Sequence, residues 1–187
     1  LCESDLSISI RNCIIKTASA SATAIEIETG EICNNIIIGN STGIGIKTGS
    51  PTSIESNTIY GFDECVNISG TLIGRITNNL VANCTKFVVN TEGNDIGIIA
   101  VNNCIIDNIL EANRYSGDTK EFKEIVGVND TYSSQSSANC FVIPGSDFRL
   151  KPGSDAIGAA IMDNDCGAIQ NKKGIGPGRG FMRGMIS

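Results

Sequence analysis

Five asparagines, Asn12, Asn35, Asn57, Asn79 and Asn103, recur 22 to 24 residues apart, and each is followed two positions later by Ile14, Ile37, Ile59, Val81 or Ile105. A period in the low twenties confines a chain to solenoid architectures, because one repeat is too short to enclose a core and must bury its apolar face against its neighbours. Aligned on the asparagine, the repeats read NCIIK, NIIIG, NTIYG, NLVAN and NCIID. Ile and Val stand among Gly, Asn, Ser and Thr, and no helical apolar spacing is sustained between Ile8 and Asp107. The expected fold is all-β, a single-stranded right-handed parallel β-helix (solenoid) with a C-terminal cap.

Each repeat supplies two or three short strands that pair with the next coil at about 4.8 Å. Ile14, Ile37, Ile59, Val81 and Ile105 are expected to form one internal ladder, and Ile32, Ile54 and Ile76 a second. The five asparagines sit at the corner between the two. Asn tolerates the left-handed backbone of a sharp bend, and its amide both donates and accepts, so stacked asparagines can bond from coil to coil. The strand after the corner is apolar at three successive positions although side chains alternate between faces. An external stripe of Ile15, Ile36, Ile38, Tyr60, Leu80, Ala82 and Ile106 is therefore expected. Soluble monomers rarely leave such a patch bare. Either the segment from Ile109 to Ser137 folds back over it, or a neighbouring subunit of a homo-oligomer, a trimer in the case of a spike, covers it.

The domain organisation follows from where the period holds. Residues 1–107 are β-helix coils, 108–139 an irregular loop region with a short helix near Lys120 to Ile125 and a Ser-rich loop at Ser133 to Ser137, 140–170 a capping segment, and 171–187 a Gly-rich tail. At 187 residues this is one domain or the end of a larger one. The first residue, Leu1 rather than Met, is compatible with removal of a signal peptide or of earlier coils. The tail carries Phe181, Met182, Met185 and Ile186, which suit an arm lying on a partner as well as a linker. A net charge of −6 with scattered carboxylates gives no electrostatic case for nucleic acid or an anionic membrane, and no apolar run is long enough for membrane insertion.

Eight cysteines do not make a disulfide framework here. Cys13 and Cys104 share a position four coils apart, about 19 Å, whereas a bridge needs Cα atoms within about 7 Å. Cys33, Cys65 and Cys84 suit small core positions. Cys140 and Cys166, outside the repeat, are the pair left open to bridging. With no His and no CxxC, no metal site and no cofactor is expected.

The run FVIPGSDFRLKPGSDAIGAA followed by DCGAI, residues 141–169, resembles the closing segment of secreted right-handed β-helix proteins, the pectate-lyase-like superfamily and choice-of-anchor Q domain proteins among them. The shared residues are Asp147, Phe148, Leu150, Pro152, Gly153, Ser154, Ala156 and Ile157, then Asp165, Gly167 and Ala168. Asp155, Gly158 and Cys166 depart from the pattern, which usually has Pro, Asp and an aliphatic residue there. The resemblance implies the fold. Independently of it, Phe141, Phe148, Leu150, Ile157 and Ile161 are apolar enough to plug the open end of a solenoid.

The resemblance also brings an enzyme alternative, a polysaccharide lyase or glycoside hydrolase acting on acidic polysaccharide. Elimination needs a base and a positive group at the sugar carboxylate, and hydrolysis needs two opposed carboxylates. Arg11, Lys16, Lys47, Arg75 and Lys86 hold different offsets in their coils, and no basic groove is evident. Asp63 and Glu64 share a turn and, with the polar row of Asn34, Asn78 and Asn102, are the candidate sugar-contacting residues; no catalytic residue is assigned. The expected function is a non-catalytic structural or binding module of an extracellular or virion-surface assembly, a spike, fibre or stalk, with polysaccharide as the candidate partner.

Overall fold

The computed structural model describes residues 8–49, 52–70, 74–91, 98–107, 109–117, 126–160 and 165–168. Over them the chain is a nearly all-β parallel β-solenoid. The first coil is β1 (Ile8–Arg11), β2 (Ile14–Lys16) and β3 (Thr23–Ile27), and the second β4 (Gly30–Cys33), β5 (Ile36–Ile38) and β6 (Ile44–Thr48). The third is β7 (Thr52–Glu55), β8 (Thr58–Tyr60) and β9 (Glu64–Ile68), and the fourth β10 (Gly74–Thr77), β11 (Leu80–Ala82) and β12 (Lys86–Asn90). Then come β13 (Ile98–Val101), β14 (Cys104–Ile105), β15 (Tyr115–Gly117), β16 (Val126–Val128) and β17 (Thr131–Tyr132). First strands stack as one sheet, β1-β4-β7-β10-β13-β16, second strands as another, β2-β5-β8-β11-β14-β17, and third strands as a third, β3-β6-β9-β12-β15.

Strand alternation decides the core. Ile32, Ile54 and Ile76 pair in register in the first sheet, and Ile37, Ile59, Val81 and Ile105 in the second. Ile46, Val66 and Val88 do the same in the third. All are essentially free of solvent, as are Phe62 and Phe87 between them. Phe62 fits because Gly39 has no side chain: a Cβ there would stand 2.7 Å from the ring and 2.3 Å from the Gly61 carbonyl. Gly30, at φ +146°, lets the second coil approach the Ile8 carbonyl, which an added Cβ would meet at 2.1 Å.

The first coil departs from the expected register by one residue. Ile14 pairs with Ile36, and Ile15 with Ile37. Ile15 therefore belongs to the inner ladder, packed against the core, while Ile14 faces out and is 68% exposed. The true interval between the first two coils is 22 residues, and anchoring on Asn12 shifted it by one. Such a slip moves every side chain of a strand to the opposite face.

The described residues of the C-terminal segment lie along the side of the solenoid rather than across its end. They form a short helix, α1 (Ser137–Cys140), and an antiparallel hairpin of β18 (Phe141–Ile143) and β19 (Asp147–Leu150). Phe141, Phe148 and Leu150 pack on Ile36, Ile38, Leu80, Ala82, Cys104 and Ile106, along the outer face of the second sheet. The apolar stripe there is thereby removed from water. Ser137 lies in α1, and the expected helix near Lys120 to Ile125, Ile161 and the tail at 171–187 lie outside the described residues.

Ile59 has no solvent exposure, and Glu26 is on the outer face, paired with Lys47. Ile59→Ala should destabilise by about 2 to 5 kcal/mol, since fixed coils on both sides cannot collapse into the cavity. Glu26→Ala should cost less than about 1 kcal/mol. Urea unfolding of the two variants measures the difference.

Candidate functional site

The polar feature around which the solenoid is organised is the corner between the first and second sheets. Two adjacent residues share the work there. Asn12, Asn34, Ser56, Asn78, Asn102 and Asn129 adopt the left-handed backbone, with φ between 54° and 58°. The residue after each is Cys13, Asn35, Asn57, Asn79, Asn103 or Asp130; the four asparagines are fully buried rungs, and Cys13 and Asp130 hold the equivalent positions at the two ends of the column. Asn12 thus belongs to the bending column and not to the rungs, a correction to the five-member ladder expected from the sequence. Its rung position is held by Cys13, whose backbone N–H donates to Asn35 Oδ1 at 3.0 Å.

Each buried rung repeats the same bonds. Asn57 Oδ1 accepts from the Asn35 backbone N–H at 2.9 Å and from Asn35 Nδ2 at 3.1 Å. Asn57 Nδ2 donates to the Ile32 carbonyl at 2.7 Å and to Asn79 Oδ1 at 3.1 Å. Asn35 and Asn79 donate likewise to the carbonyls of Ile10 and Ile54, and Asn103 to that of Ile76. Asn35, Asn57, Asn79 and Asn103 have no solvent exposure, so water does not compete for these groups.

The ladder ends on a carboxylate. Asp130 Oδ1 accepts the Asn103 backbone N–H at 2.7 Å and Asn103 Nδ2 at 3.2 Å, while Oδ2 accepts the hydroxyls of Tyr115 and Tyr132. An acceptor-only group suits a position that receives bonds and passes none on. Burial raises the Asp130 carboxyl above the ordinary carboxylate range, against the lowering effect of its hydrogen bonds. Burial and that carboxylate push Tyr132 up to about 12, and Tyr115 is raised as well. The sequence reading missed this sixth corner because it follows the fifth after 27 residues; the Asn129-Asp130 pair, echoing Asn34-Asn35, was the available signal.

The residues expected to form an interface stripe are occupied within the chain. Ile36 and Ile38 are 9% exposed, Leu80, Ala82 and Ile106 still less, and Ile15 points into the core. Tyr60 is half-buried, edge-on to Phe148 at 5.4 Å and Phe141 at 6.4 Å. Among the described residues, the covering side chains are those of Cys140, Phe141, Phe148, Leu150, Ala156, Ala160 and Cys166 rather than of Ile109–Ser137. This cover is fastened by polar bonds: Asp107 accepts the backbone N–H groups of Asn83 and Ser137, each at 2.7 Å, and Asp165 that of Gly158 at 3.0 Å. Gly167 N–H donates to the Asn78 carbonyl at 2.9 Å, and Ala168 N–H to Thr58 Oγ1 at 3.1 Å.

The candidate sugar-contacting residues are not brought together. Asn34, Asn78 and Asn102 line the corner, with Asn34 exposed and the carbonyls of the other two engaged by Gly167 and Cys166. Asp63 and Glu64 lie at the start of β9 in the third sheet, 3.6 and 3.1 Å from Lys86 Nζ. Among the described residues, no group of three or more His, Cys, Asp or Glu side chains is placed to hold a metal ion, and no helix is long and apolar enough to cross a membrane. Comparison with family models, with curated proteins and with solved structures gives no match.

Seven described cysteines are free thiols, Cys140 and Cys166 among them. Cys140 bonds with Ser154 Oγ at 2.9 Å, and the Cys166 thiol donates to the Asn102 carbonyl at 3.3 Å. Burial pushes Cys140 up to about 11 and raises Cys33, Cys65, Cys104 and Cys166. These five should react with a thiol reagent only on unfolding, whereas exposed Cys13 should react in the native protein. Counting thiols with and without denaturant tests this.

The ladder chemistry separates two isosteric exchanges. Asn57→Asp leaves the Ile32 carbonyl without a donor and sets a buried carboxylate against Asn79 Oδ1, and should destabilise by about 3 to 5 kcal/mol. Asp130→Asn retains the acceptor for Asn103 and should cost about 1 kcal/mol or less at neutral pH. The native Asp130 carboxyl, with its value raised, holds a proton more tightly than the unfolded one. The wild-type chain should therefore gain stability relative to Asp130→Asn as pH falls into the window between the two values, and lose it as pH rises through that window. Unfolding midpoints measured from the ordinary carboxylate value upward reveal the slope.

Proposed function

We propose that this chain is a non-catalytic structural module, a rigid section of a spike, fibre or stalk in an extracellular or virion-surface assembly. We further place it with right-handed, pectate-lyase-like β-helices, its covering segment being of the choice-of-anchor Q kind. One observation supports the structural reading above the others. The amides of the corner column are spent on one another from Asn35 to Asp130, so the most ordered polar array in the molecule serves the rod itself. A buried, satisfied network of this kind resists bending and excludes alternative registers.

In this reading a homo-oligomer, threefold in a spike, uses a surface other than the covered stripe. Polysaccharide contact falls on outward groups such as Asn34 and on the Asp63, Glu64 and Lys86 cluster. Incubation with a panel of acidic polysaccharides, followed by absorbance of unsaturated products and by reducing-end assay, tests the proposal. Neither signal should rise above that of the heat-denatured protein. Sustained turnover that scales with protein concentration would overturn the structural reading in favour of a lyase or hydrolase.

A further inference from the structure

On the third sheet an amine, a carboxylate and an amide stand together. β9 and β12 are paired so that Lys86 lies beside Glu64 and Val89 beside Asn67. Asn67 belongs to the row of exposed Glu26 and of Lys47, yet it is itself only 5% exposed. One carboxylate bridges the other two groups: Glu64 Oε1 accepts from Lys86 Nζ at 3.1 Å, and Glu64 Oε2 accepts from Asn67 Nδ2 at 2.7 Å. The partners fix the orientation of the amide, because an ionised carboxylate only accepts and the NH2 must therefore face Glu64. That turns the Asn67 carbonyl oxygen towards Thr91, whose hydroxyl is 3.1 Å from it and 3.3 Å from the Ile68 carbonyl. Asp63 also reaches Lys86, at 3.6 Å from Nζ. Lys47, the in-register neighbour of Asn67 in the adjoining coil, is engaged elsewhere, 2.8 Å from Glu26. An ion pair accounts for Lys86 and Glu64, but it does not require an amide almost out of water, with its NH2 on the same carboxylate and its oxygen on a hydroxyl.

We propose that Lys86 and Asn67 are the reactants of an autocatalytic isopeptide cross-link between the third and fourth coils, with Glu64 as the proton carrier. The parts are those of an acyl transfer: an amine nucleophile, a carboxamide electrophile, a group touching both that takes and returns protons, and a hydroxyl at the oxygen where charge develops. Glu64 takes one proton from the Lys86 ammonium, and the free amine attacks Asn67 Cγ to form the Nζ–Cγ bond. Charge builds on Oδ1, beside the Thr91 hydroxyl. Glu64 returns its proton to Nδ2 and takes a second from Nζ; the Cγ–Nδ2 bond breaks, and the departing ammonia carries that second proton away as ammonium. One amide replaces another, so the balance needs no oxidant and no external reactant. The hydrogen bond to Glu64 raises Lys86 above its ordinary value against the opposing effect of burial, and the charges of Glu64 and Asp63 add to the rise. The first proton transfer is therefore uphill and the bond forms slowly, with the fixed placement of both reactants on paired strands working in its favour. The product ties two coils covalently where the sheet alone has hydrogen bonds. This activity goes beyond the structural-module reading and stands independently of it.

The test is the mass of the folded full chain, followed after purification during incubation below its Tm. The wild-type chain should become lighter by one ammonia. Trypsin should then release residues 48–75 joined to residues 76–114, because Lys86 in amide linkage is not cleaved. Asn67→Ala, which removes the electrophile, and Lys86→Arg, which keeps the ion pair and so the fold, should both retain the full mass of their sequences. Glu64→Gln should slow ammonia release by roughly 100-fold or more, and Thr91→Val by roughly 10-fold or more. Lys47→Arg, beside Asn67 but paired with Glu26, should react as the wild type does. A folded wild-type chain that keeps its full mass would overturn the proposal. So would ammonia loss with residues 48–75 released alone, which marks a cyclic imide between an Asn side chain and its own backbone, and ammonia loss that persists in Lys86→Arg. Polysaccharide turnover, by contrast, would overturn the structural-module reading while leaving the mass change in place.

Discussion

A rung amide has two protons and two lone pairs, and in Asn57 all four are used within the protein. The rest of the structure depends on that satisfaction. A corner that turns through a left-handed residue leaves backbone groups that no sheet ladder can pair, and at the junction of two buried sheets no water reaches them. Asparagine answers both needs at once, because its carbonyl takes the N–H of one neighbouring coil and its NH2 reaches a carbonyl of that coil and the next amide oxygen. Leucine at a rung would strand these groups, and aspartate would lack the donors. At the last rung the demand changes, since Asn103 only has to be received, and there Asp130 with two tyrosine hydroxyls is the fitting terminus.

The ladder in turn sets the coil interval. Three successive rung-to-rung steps are 22 residues, and the rung bonds are kept where the step lengthens to 24 and then 27. The corner keeps its bonds through these longer steps because it is where a missing bond costs most. With that interval the aliphatic rows stack in register on all three sheets, and Phe62 and Phe87 fill the space between them.

The second constraint is the flank. The second sheet is apolar on both faces, so a solenoid alone would expose a continuous stripe, and the hairpin with α1 removes it from water. Asp107 ties the start of this segment to the fourth coil, and contacts from Cys166 to Ala168 tie its end to the fifth, fourth and third.

Much of this was legible in the residues. The period, the alternation that puts Ile32, Ile54 and Ile76 on one face, the presence of asparagine at the corner and the need to cover an outer stripe all follow from local chemistry repeated along the chain. What the chain by itself did not determine was the one-residue distinction between Asn12 and Cys13, the assignment of bending to Asn34 and bonding to Asn35, the sixth corner at Asn129 and Asp130, and the identity of the cover. Each of these depends on pairing with a coil more than twenty residues away, or, for the hairpin, on contacts across a hundred. Register and docking are decided by which distant surfaces fit, and only the tertiary structure contains that information.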